Sequence, residues 1–171
     1  MQAWSTSALL ALSLGFASVQ AFAQEAPGTQ QAPAEMALPP ALKLDRLIAL
    51  EVPNTSLRFG IVPESVTVDP DGVVRYVVVA RSPGGAVNAM HEGLRCGAGD
   101  VITYARHNAD TGWVAVRNPQ WQDVRGNSAH RHSLLIARTG ACLEQAPNGP
   151  AANILRDLQR SADFRFRPEI R

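Results

Sequence analysis

Lysine is nearly missing from this chain: Lys43 is the one lysine among sixteen basic residues, and fifteen acidic residues leave a net charge of +1. A protein whose main partner is a polyanion carries a strongly basic domain, so this balance argues against nucleic acid as a partner. The arginines read as the codon bias of a GC-rich genome rather than as phosphate-binding forks. Cysteine is scarce as well. Cys96 and Cys142 stand alone, with no C-x-x-C pair to suggest redox chemistry. The sequence also lacks a G-x-S-x-G elbow, an H-E-x-x-H helix, a P-loop and a three-glycine dinucleotide turn, since Gly97-Ala98-Gly99 is only a hairpin. Its apolar runs fall short of the roughly 20 residues of a membrane span.

What is present fits one modest globular domain: 171 residues, 46% hydrophobic and 18% charged. Residues 1–23 read as a secretory signal peptide, with an apolar stretch from Ala8 and an A-x-A site at Ala21-Phe22-Ala23. Cleavage after Ala23 would deliver the chain to an oxidising compartment outside the cytoplasm. In that oxidising space two cysteines have one intramolecular pairing, so a Cys96–Cys142 disulfide is expected. Residues 24–41, rich in Pro, Gln and Ala, read as a flexible linker. Residues 42–160 form the domain, and 161–171 a loosely ordered tail.

Short β-prone runs fill the first part of the domain: Leu47–Val52, Leu57–Val62 broken at Pro63, Val66–Val68, Val73–Ala80, Val87–Leu94, Val101–His107 and Trp113–Val116. Turn residues separate them, including Asp69-Pro70-Asp71-Gly72 and Ser82-Pro83-Gly84-Gly85. Connections this short join antiparallel neighbours, because parallel pairing requires crossovers of a dozen residues. If Ser82–Gly85 and Gly97-Ala98 are the hairpin loops, Tyr76 lies opposite His91 and His91 opposite Tyr104, while Arg75 faces Glu92 and Glu92 faces Thr103. The Arg75 row shares its face with Val77, Val79, Met90, Leu94, Val101 and Cys96, and that face is the expected core. Val74, Tyr76, Val78, Ile102 and Tyr104 then form a second apolar face with no helix over it.

After Trp121 the period changes. Asn127 or Ser128 can cap a helix to about Thr139, with His130, Leu134, Ala137 and Ala141 on one stripe, although a strand over Leu134–Ala137 stays open. A second helix runs from Pro150 to Arg160, with Ala151, Ile154, Leu155 and Leu158 at helical spacing. The expected fold is α+β: an antiparallel β-meander of about five to seven strands, packed on one face by one or two short helices and stapled by the disulfide.

The succession LRFGIVPESVTVDPDGVVRYVVVARSPGGAVNAMHEGLRC, followed by a Trp-containing strand, NPQW and a second cysteine before a final helix, resembles the CNP-one-like family of exported bacterial proteins. The most specific pieces are Arg75-Tyr76, Arg81-Ser82-Pro83-Gly84 and Glu92-Gly93-Leu94-Arg95-Cys96. The resemblance implies a Gram-negative envelope protein and brings no catalytic residues with it. The chain departs from the pattern at His91 and at Thr139-Gly140-Ala141, where the family is expected to carry aromatics.

The candidate chemistry has a plain counterpart at each position. His91 between Tyr76 and Tyr104 is a proton-transfer or ligand group in an aromatic pocket, or a stacked cross-strand row, and the row is preferred. Arg75 and Glu92 are an acid with its electrostatic partner, or a structural ion pair beneath the helix, and the pair is preferred. His130 and His132 point the same way on a strand but about 200° apart on a helix, and zinc needs three or four convergent ligands. Asp69–Gly72 is a turn rather than a calcium loop. Trp113 and Trp121 stack on a sugar or peptide, or cover the sheet edge. These residues support a non-catalytic binding or structural module of the periplasm, with an envelope protein or cell-wall partner and no cofactor or metal. The alternative is a small periplasmic hydrolase or metal-dependent enzyme using His91 and Glu92, or His130 and His132.

Overall fold

The computed structural model describes residues 37–160, so the expected signal peptide, most of the linker and the tail 161–171 lie outside the described residues. The sheet contains β1 (Ile48–Leu50), β2 (Arg58–Val68), β3 (Val73–Arg81), β4 (Val87–Arg95), β5 (Asp100–Asn108) and β6 (Gly112–Ala115) in chain order, with β7 (Gln122–Asp123) pairing the start of β5. Every pairing is antiparallel. The α+β meander is therefore observed as expected, and its hairpins close on the residues that permit them. Gly72, Gly85, Gly99 and Gly112 all take positive φ at these turns.

Three local readings change. Pro63 does not end a strand, because β2 runs through it as one piece with a register shift between Val62 and Thr67. Proline offers no N–H to the ladder, and the Ser65 hydroxyl fills the gap. It accepts from Val77 N at 2.7 Å and donates to Val62 O at 2.6 Å. The segment after Asn127 is helical throughout, which removes the strand alternative for Leu134–Ala137. It is also not one uniform helix. A 3₁₀ turn over Ser128–His130, capped by Asn127 Oδ1 on Ala129 N at 2.9 Å, leads into α1 (Arg131–Ile136) and a wider π turn over Ala137–Ala141. Each change of pitch rotates the stripe. His132, Ser133 and Ile136, then Thr139, Gly140 and Ala141, are buried, whereas His130, Leu134 and Ala137 are only partly so. A small hairpin of β8 (Cys142–Leu143) and β9 (Ala146–Pro147) precedes α2 (Ala151–Gln159), which buries Ile154 and Leu158 as its periodicity requires.

The third change concerns the faces of β3. The loop after β3 holds five residues, since Arg81 pairs with Val87, and Ser82 N donates to Ala86 O across it. One residue more than Ser82–Gly85 slips the register and turns β3 over. Tyr76 now pairs with Glu92, Val77 with His91, and Arg75 with Gly93. The main core thus joins Val74, Tyr76 and Val78 with Leu94, Cys96 and Val101 under Ile136, Ala141, Ile154 and Leu158. Val74, Tyr76 and Val78, expected on a bare face, are therefore covered, whereas Tyr104 of that expected face lies on the other side with Arg75 and His91. Val77 and Val79 instead pack with Val62 and Ala89 on the opposite face, against Leu42, Leu47 and Trp113. The Cys96–Cys142 disulfide is formed and ties the end of β4 to the segment leaving the π turn, with a Cα–Cα distance of 5.6 Å.

Candidate functional site

Glu92 sits midway along β4 on the helix-covered face and has no solvent exposure. A carboxylate in such a place is very costly unless its oxygens are bonded, and groups from two other elements meet it. Tyr76 Oη on β3 donates to Oε2 at 3.0 Å, and Ser133 Oγ on α1 donates to the same oxygen at 3.2 Å. His132 Nε2, also on α1, lies 3.1 Å from Oε1 and 3.2 Å from Oε2. Phe59 of β2 stacks on the His132 ring at 5.2 Å with planes 9° apart. Burial, reinforced by the neighbouring Glu92, pushes the Tyr76 phenol well above its ordinary range, so it serves as a donor.

This cluster contains a serine, a histidine and an acid, yet its geometry is not that of a nucleophilic triad. There the imidazole stands between acid and serine, one ring nitrogen toward each. Here both His132 and Ser133 turn to Glu92, and Tyr76, Glu92 and Ser133 are completely enclosed. The arrangement clamps α1 onto β3 and β4.

Arg75 and Glu92 do not pair, because the β3 slip puts them on opposite faces. Arg75 Nε instead donates to Asp69 Oδ2 at 2.5 Å, and Nη1 to Tyr104 Oη at 2.6 Å. Its guanidinium lies 5.1 Å from the Tyr104 ring centre, and Asp71 is 3.8 Å from Nη2. The Asp69–Gly72 turn, with Gly72 N on Asp69 O at 2.9 Å, therefore presents its carboxylates to an arginine. The predicted row of Tyr76, His91 and Tyr104 is split in the same way. His91 and Tyr104 remain neighbours at 5.5 Å, brought together by a bulge that pairs Glu92 with Thr103 but His91 with Ala105. Tyr76 is on the other face. Burial, with Arg75 nearby, holds the His91 imidazole below its ordinary range, and Nδ1 has no hydrogen-bond partner among the described residues.

The two remaining pairs separate too. His130 Nε2 lies 2.7 Å from Gln122 Oε1, while His132 reaches Glu92, their rings 6.4 Å apart. Burial lowers the His130 imidazole, helped by His132. No group of three or more metal-ligating side chains occurs among the described residues. Trp113, opposite His107, donates Nε1 to Pro40 O at 3.0 Å. Trp121 lies under the Arg95 guanidinium at 3.9 Å, beside the Gln122–Val101 pairing. Val101 and His107 are about 20 Å apart along β5 at strand spacing, so the two tryptophans do not form one platform.

The CNP1-like family model matches residues 28–159. The chain belongs to the CNP1-like family. No curated protein and no solved structure matches it. In this CNP1-like chain the residues that sequence reasoning missed are His132 and Ser133 as partners of Glu92. The signal was available: Met90, Glu92, Leu94 and Cys96 alternate toward the core, and a buried carboxylate requires donors from the layer above it. A groove with a volume of about 620 Å³ lies between β1 and α2, away from Glu92. No helix among the described residues is long and apolar enough to cross a membrane.

Proposed function

We propose that this CNP1-like chain is an exported, periplasmic module that works by binding or by scaffolding in the cell envelope and not by catalysis. The observation that carries the reading is the enclosure of Glu92. The group best equipped for acid–base work has both oxygens occupied by the protein's own donors, and general acid–base catalysis needs contact with the proton being moved. The partition of His91, Tyr104, Trp113 and Trp121 among separate contacts leaves recognition to the surface of the domain, where an envelope protein or a cell-wall polymer is the expected partner. Export is supported by the apolar leader with its A-x-A site and by the use of both cysteines in a disulfide.

Two measurements test this. Diethylpyrocarbonate labelling of the folded protein, mapped by mass spectrometry, should modify His107 while sparing His132 until the chain is unfolded. Rapid labelling of His132 in the folded state would open the Glu92 cluster to substrate and overturn the non-catalytic reading. Cell fractionation should recover a mature chain beginning at Gln24 from the periplasm, and an intact chain in the cytosol would overturn the placement.

A further inference from the structure

The groove between β1 and α2 is bounded by the outermost strand of the sheet on one side and by the end of the last helix on the other. Leu50 and Glu51 of the β1 segment, Glu64 of β2, Leu135 of α1 and Leu158 of α2 line it, together with Arg160. Its volume of about 620 Å³ is that of a ligand site, roughly 300–1,000 Å³. An edge strand also offers main-chain groups to a further strand.

The chain leaves α2 at this groove. Arg160 both lines it and has extended backbone, φ −73° and ψ 117°. In the sequence beyond, Ser161-Ala162-Asp163-Phe164-Arg165-Phe166-Arg167-Pro168, the four residues 164–167 alternate apolar and basic with a period of two. That is the pattern of a strand with one apolar face. Three residues, 161–163, reach about 10 Å, and the covalent link holds the segment at an effective concentration in the millimolar range. Glu51 and Glu64, the latter bonded to Arg46 at 3.0 Å, stand at the rim where alternate arginines would pass. Pro168 cannot extend a ladder by its own nitrogen and marks a natural end.

We propose that this groove is the seat of the chain's own segment 161–167, which adds to β1 with Phe164 and Phe166 turned inward and Arg165 and Arg167 toward the acidic rim. The segment thereby occupies the sheet edge that would otherwise recruit another chain. The test uses the full mature protein with methyl-labelled leucine and valine. Ring-to-methyl cross-peaks should connect Phe164 or Phe166 with Leu50, Leu135 and Leu158. The double variant Phe164→Ser, Phe166→Ser should lose them and shift those leucine methyls while leaving Val77 and Val79 on the opposite face unmoved, and Phe164→Leu, Phe166→Leu, which fills the groove without ring currents, should keep those methyls as protected from a soluble paramagnetic agent as in the wild type. Absence of the cross-peaks in the wild type, or a serine variant with unchanged groove methyls, overturns the proposal. So do cross-peaks seen only between differently labelled copies, which would make a second molecule the occupant.

Discussion

Glu92 shows how one residue can decide the relation between two layers. Its oxygens take bonds from β3 and α1 at 3.0–3.2 Å, and those from His132 and Ser133 form only when the helix is seated on the sheet. Removing His132 leaves Glu92 Oε1 buried without a donor, while Oε2 keeps Tyr76 and Ser133, and an unsatisfied buried polar group costs about 1–3 kcal/mol. His132→Ala should therefore lower the unfolding free energy by about 1–3 kcal/mol, read from urea denaturation. A loss below about 1 kcal/mol would mean that the clamp contributes no more than a surface ion pair.

On the opposite face, His91 is placed to resist protonation. Burial first, and then Arg75, holds the His91 imidazole below its ordinary value, and burial does the same to His130. The unfolded imidazole takes up a proton near pH 6.5 while the folded one resists. Below that pH the unfolded state binds more protons, so stability conferred above it is lost as the pH falls through the folded value. His91→Phe keeps an aromatic ring beside Tyr104 and removes this titration. Its urea midpoint should drop less than that of the wild type between about pH 7.5 and about pH 5.5, and an equal drop would place the acid sensitivity elsewhere.

Among elements, the contact between the π turn and α2 has the least room. A Cβ on Gly140 would stand 2.6 Å from Leu158 Cγ and 3.0 Å from Ile154 O, so the helix itself would have to move. Gly140→Ala is expected to cost about 1–3 kcal/mol as overpacking, and Leu158→Ala in the same chain should recover part of it, as seen in thermal melts of the single and double variants. The same segment shows where sequence reasoning stops. The antiparallel order was legible because turn residues act locally, and so were the inward row of Met90, Glu92, Leu94 and Cys96 and the periodicity of α2. The faces of β3 were not, because they depend on whether Ala86 belongs to the loop, and one residue inverts a strand. The bulge opposite His91 leaves no local mark in an alternating sequence, and the change from 3₁₀ to α to π pitch moves the buried stripe from His130 to His132 and Ser133. The polar cluster was missed for that compound reason. Its members were each visible, but two register errors placed Tyr76 on the wrong face and His132 on the wrong side of its helix.

For the molecule as a whole, the disulfide joins the sheet to everything that follows it. Cys96 and Cys142 stand 46 positions apart, and the loop they close includes β5, β6, β7 and α1, so it contains two of the main sheet's six pairings and the helix that clamps Glu92. A loop of this length restricts the unfolded chain by about 4 kcal/mol on the entropy model, against a total stability of about 5–15 kcal/mol for a domain. The link is therefore a large share of what keeps the fold together, and a reducing compartment would withhold it. The double variant Cys96→Ala, Cys142→Ala should unfold at lower urea concentration by about 4 kcal/mol, and reductant should bring the wild type down to meet it while leaving the variant unchanged. If reduced wild type retains its full stability, the domain does not depend on an oxidising space, and the argument from sulfur chemistry to the periplasm loses its physical basis.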